Sequence, residues 1–78
     1  MNNKFKLGDI VTTLDCERHL RIILELHTTS NNLNYYSLSY MSDYNANTGV
    51  AWFDNELTLV QRCGSIKNAI GVLSMSSV

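Results

Sequence analysis

Almost everywhere before Gly64 the apolar side chains recur at every second position rather than every third or fourth, and this period constrains the fold more than any other feature of the chain. In Leu20, Ile22, Leu24 and Leu26 they fall on one parity. His19, Arg21, Glu25 and His27 fall on the other, with Ile23 as the exception. Such a run predicts a strand with one dry face. Leu33 to Met41 alternates Tyr36, Leu38 and Tyr40 with Ser37 and Ser39, which suits a pleated surface and predicts a second long strand. Between them Thr28-Thr29-Ser30-Asn31-Asn32 offers side chains that bond to nearby backbone, so it predicts a hairpin turn. Ile10-Val11-Thr12-Thr13, Val50-Ala51-Trp52-Phe53 and Leu57-Thr58-Leu59-Val60 predict three shorter strands, with Ser42 to Gly49 as a long polar hairpin tip. After Gly64 the period changes. Ile66, Ala69, Ile70 and Leu73 recur at helical spacing behind Ser65, a competent N-cap, while Gly71 weakens the helix and Ser74 to Val78 reads as a frayed end.

With 78 residues the chain forms one domain, read as strands over about 5–61 and a short helix or tail over about 65–78. Five short strands joined by hairpins are too few for two large sheets but enough for a small, strongly bent barrel, which also hides strand edges. The expected fold class is all-β: a five-stranded barrel with a short C-terminal helix.

The Phe5-x-Leu7-Gly8-Asp9-x-Val11 opening, the Ile22–Leu26 and Tyr35–Tyr40 strands and the closing Trp52-Phe53-x-x-x-Leu57-x-Leu59-Val60 resemble the small SH3-like barrels of the KOW and Tudor kind. The resemblance covers roughly Phe5 to Gln61 and implies that the Gly8-Asp9 pair turns the chain into its first strand. It departs from the KOW pattern at Asp15-Cys16-Glu17-Arg18-His19, where no glycine leads into the second strand. The Asn-rich composition and small size also resemble proteins encoded by phages and other mobile elements.

Six basic and seven acidic residues leave a formal charge of −1, so no global field holds a polyanion. No apolar stretch approaches the roughly 20 residues needed to span a bilayer. Asn2, Asn3, Lys4, Lys6 and Asp9 interrupt any signal-peptide core, and the expected location is the cytoplasm, of the host if the protein is phage-encoded. In that compartment Cys16 and Cys63 are expected as free thiols.

Chemistry-bearing patterns are sparse. Cys16-x-x-His19 with His27 and Cys63 is the only set with zinc-ligand character. His19 and His27, eight residues apart on one strand, stand roughly 26 Å from each other and cannot share an ion. No metal or cofactor is expected. Neither cysteine carries the flanking motif of a thiol enzyme, Gly8, Gly49, Gly64 and Gly71 are too scattered for a phosphate loop, and no catalytic role is assigned.

The aromatics are the most informative residues. Tyr36, Leu38 and Tyr40 are expected in the core with Val11, Ile22, Leu24 and one of Trp52 and Phe53. Tyr35 on the opposite parity, with Tyr44, Trp52, Asp43 and Asn45 around the Ser42–Gly49 loop, forms a candidate protein-binding patch. The competing reading is that these aromatics only complete a small core. Arg18, Arg21, Lys4 and Lys6 are the candidate basic patch of an alternative nucleic-acid-binding barrel, although Asp15, Glu17 and Glu25 interleave with them. The expected function is therefore a non-enzymatic protein-binding module, possible as a homodimer. In the phage reading it inhibits a host factor or defence nuclease.

Overall fold

A computed structural model describes residues 4–76; Asn2 and Asn3 of the polar N-terminus and Ser77 and Val78 of the expected frayed end lie outside them. The chain runs β1 (Asp9–Thr13), β2 (Cys16–Thr28), β3 (Asn34–Ser39), β4 (Asn47–Phe53), a single 3-10 turn (Asp54–Glu56), β5 (Leu57–Arg62) and α1 (Ile66–Ser76). All strand pairings are antiparallel, in the order β4-β3-β2-β1-β5. The first four strands form a meander, and β5 returns to the outside of β1. Among the described residues β4 and β5 are not paired with each other, so the sheet remains open where a closed barrel was expected.

Two apolar clusters lie on opposite sides of this sheet. Directly paired residues share a face. Val11 pairs with Arg21 and Leu59, Ile23 with Leu38, and Tyr36 with Leu26 and Trp52. On this inner face Phe5, Val11, Ile23, Tyr36, Leu38 and Leu57 are buried together, and Trp52 packs against them. Phe5 stands edge-on to Tyr36 at 5.3 Å between ring centres. On the outer face Ile10 and Ile22 are buried with Ala69 and Leu73 of α1. Full burial of a side chain such as Ile22 or Leu73 contributes about 1.5–3 kcal/mol, so both faces of β1 and β2 stabilise the fold.

Each strand pairing carries one register shift, and the one within β2 decides the faces of its core residues. Ile23 faces Leu38 but Glu25 faces Ser37, so Leu24 is an extra residue, a β-bulge. A one-residue insertion reverses which side chains face which way. Ile22 and Leu24 therefore join the outer cluster, Ile23 belongs to the inner core, and Leu26 reaches the inner face at its rim, 36% exposed. Tyr40 corrects a core expectation. Strand β3 ends at Ser39, whose Oγ accepts the Ile22 N–H at 3.0 Å, and Tyr40 beyond it is 48% exposed.

The entry to β1 is built by Gly8 and Asp9. Gly8 has φ +83°, and a Cβ there would lie 2.2 Å from the carbonyl carbon of Ser65, so position 8 needs glycine both for its conformation and for the close approach of the helix entry. The Asp9 carboxylate, fully buried, accepts the Lys6 N–H at 2.9 Å and Arg62 Nη2–H at 3.1 Å. Arg62 also donates to the Lys4 carbonyl at 3.2 Å, tying the start of the described chain to β5. The Ser65 hydroxyl accepts the Asn68 N–H at 3.1 Å, the expected N-cap. The helix continues through Ser74 to Ser76, beyond the expected start of fraying.

Candidate protein-binding face

Past the Leu24 bulge the outer face emerges from under α1. Here β2, β3 and β4 present two cross-strand rows: Glu25, Ser37 and Ala51, then His27, Tyr35 and Phe53. The His27 and Tyr35 rings stack at 4.8 Å with 17° between their planes, and Tyr35 lies 5.9 Å from Phe53. His27 Nε2 stands 3.0 Å from Glu25 Oε1 and 3.1 Å from Ser37 Oγ. Hydrogen bonding of the Glu25 carboxylate to His27 first, and to the Ser37 hydroxyl second, holds it below the ordinary carboxylate value. The aromatic row is thus fixed at one end by a polar bracket.

At the other end the row borders an open cleft of about 610 Å³, lined by Leu33, Asn34, Phe53, Asp54, Asn55 and Glu56. The cleft rim is held by side chains that bond inward. The Tyr36 hydroxyl donates to Asp54 Oδ1 at 2.5 Å, and Glu56 Oε1 accepts the Phe53 N–H at 2.9 Å. Each carboxylate spends one oxygen on positioning the 3-10 turn. Burial, and then the bond to Asp54, push the Tyr36 hydroxyl up to about 12.

The Glu25–His27–Ser37 group has the residue types of a nucleophilic triad but not its geometry. Both partners approach the same ring nitrogen, whereas a base that takes a proton from serine needs its other nitrogen held by the carboxylate. Ser37 is moreover 8% exposed, with little room for a substrate. Among the described residues no three of His, Cys, Asp and Glu are grouped to hold a metal ion, and Cys16 and Cys63 are free, half-buried thiols.

The structure separates residues that the sequence grouped. Tyr35 does lie on the outer face. Its aromatic neighbour there is Phe53, because Trp52 pairs with Tyr36 and turns into the inner core. Tyr44 packs against the helix-covered cluster, while Asp43 and Asn45 are exposed on the β3–β4 connection, where Asp43 Oδ1 accepts the Asn45 N–H at 3.0 Å. The proposed basic patch is likewise divided: Arg18, Lys4 and Lys6 are exposed, Lys4 Nζ lies over Phe5 at 5.3 Å, and Arg21 lies over Trp52 on the inner face. Of the Trp52 and Phe53 pair it is Phe53 that joins the face, and His27, Leu33, Asp54 and Glu56 were missed as site residues. Cross-strand register places His27 beside Tyr35, while Leu33, Asp54 and Glu56 reach the site from the connections that flank β3 and β4. No known protein family, curated protein or solved structure matches the chain. No helix among the described residues is long and apolar enough to cross a membrane.

Proposed function

We propose that this protein is a non-catalytic protein-binding module of SH3-like barrel type. Its recognition surface is the His27–Tyr35–Phe53 row together with the adjoining cleft at the 3-10 turn. The observation that carries this reading is Phe53: an aromatic side chain left 37% exposed on an edge strand, in ring contact with Tyr35 and forming one wall of an open cleft. Rigid aromatics with a polar surround are the usual anchors of protein interfaces, since they bury a large area at little entropic cost. The edge position of β4 adds unpaired backbone groups beside the row, which an extended segment of a partner can use. The strand order and the 3-10 turn before β5 support the SH3-like reading.

On the phage-like style of the chain, the partner we propose is a host factor or defence nuclease in the cytoplasm, inhibited by occlusion of its surface. The double variant Tyr35→Ser, Phe53→Ser tests the face. It is expected to lose a partner that the wild type retains from host extract, with a melting temperature within about 8 °C of wild type. Retention of that partner by the variant overturns the reading.

A further inference from the structure

Two polar side-chain atoms among the described residues are sealed from solvent without a hydrogen-bond partner, Arg21 Nε and Trp52 Nε1. They belong to neighbouring side chains from strands that are not adjacent in the sheet: the guanidinium carbon of Arg21 on β2 lies 5.7 Å from the centre of the Trp52 ring on β4. A buried N–H left unpaired costs about 1–3 kcal/mol, and native structures hold few of them. Both groups are donors only, so neither can satisfy the other. What the pair lacks is an acceptor.

The surroundings define the acceptor. Arg21 pairs with Val11, which pairs in turn with Leu59, 42% exposed on the free edge strand β5. Trp52 packs against the cluster of Phe5, Val11, Ile23, Tyr36, Leu38 and Leu57. Among the described residues Arg21 is the cation set against Trp52 on this apolar inner face. A single positive charge there is balanced by a single negative one, and excess negative charge beside apolar side chains carries a desolvation penalty. The planar guanidinium fork fits a planar carboxylate.

We propose that Arg21 and Trp52 form a carboxylate-binding site for an Asp or Glu side chain, or the C-terminal carboxylate, of a bound polypeptide. Without it Arg21 lies over the indole, and both donors are sealed from solvent. Its long stem swings outward as the carboxylate enters, and Arg21 Nε–H and Trp52 Nε1–H then donate to it. The site lies on the opposite face of the sheet from Tyr35 and Phe53, so it stands or falls separately from the outer-face reading.

Trp52 is the only tryptophan, so the protein has a single indole N–H resonance. Titration of the ¹⁵N-labelled protein with acetate and with an acidic tetrapeptide, against chloride at equal ionic strength and neutral acetamide, reads the site directly. The expected result is a saturable downfield shift of the indole N–H with both carboxylates, tighter for the peptide and absent with chloride and acetamide. Arg21→Gln should weaken it at least tenfold, and Arg21→Lys, which keeps the charge without the Nε–H, should weaken it less. Backbone amide dispersion checks that each variant is folded, and the wild-type titration decides by itself should either unfold. An indole resonance that no carboxylate moves, with cross-relaxation to water, means an ordered water only and overturns the proposal. An equal or stronger response to inorganic phosphate overturns the assignment to a carboxylate.

Discussion

At the β1–β2 end of the outer face Ile10 and Ile22 are sealed by Ala69 and Leu73 of α1, whereas at the β3–β4 end of the same face Tyr35 and Phe53 remain accessible beside an open cleft. The boundary between the two regions is the Leu24 bulge. Before it the outward positions are apolar and need a cover; after it they are Glu25 and His27, which carry polar groups that water or a partner can satisfy. One surface is thereby divided into a part covered by the helix and a part left uncovered. A helix of 11 residues, at 1.5 Å each, spans about 16 Å and cannot cover both.

This division is broken most severely at the helix entry. Gly8→Ala places a Cβ against the Ser65 carbonyl and imposes a positive φ on alanine, so a loss of more than about 3 kcal/mol is expected in urea unfolding. Leu73→Ala removes the helix's largest buried side chain from the covered end and should cost about 2–4 kcal/mol by the same measurement. Tyr36→Phe leaves the Asp54 carboxylate without its donor and should cost about 1.5–3 kcal/mol. It also sharpens the pH behaviour. The fold holds the neutral phenol, so this stabilisation is complete below the ordinary tyrosine pKa of 10.0 and is lost as pH rises from there through about 12. In Tyr36→Phe that part of the alkaline loss should vanish, which unfolding curves at pH 9 and pH 11.5 would reveal. Smallest is the open end, where Phe53→Ala should cost under about 1 kcal/mol while removing partner binding. A large loss of stability there would mean that the row belongs to the core.

The strand segments, the Ser65 cap and the burial of Tyr36 and Leu38 are legible in the sequence, because each follows from alternation or from one residue's chemistry. Sheet closure is not, since the alternation of β4 and β5 is the same whether they pair with each other or stay apart. The bulge at Leu24 leaves only the trace of Ile23 out of phase. The exposure of Leu26 follows from it, and the choice of Phe53 over Trp52 as Tyr35's neighbour is fixed by the separate β3–β4 register. Asp54 and Glu56 look in sequence like ordinary turn acids; the Tyr36 hydroxyl 18 positions earlier in the chain makes one of them part of a built rim.

The most direct test of the divided face is to compare the partners retained by the wild type with those retained by Phe53→Ser and by Leu73→Val, together with the melting temperature of each. The account predicts that Phe53→Ser loses the partner and melts close to wild type, while Leu73→Val melts lower and keeps the partner. Partner loss that follows melting temperature in both variants, or a partner kept by both, would contradict it.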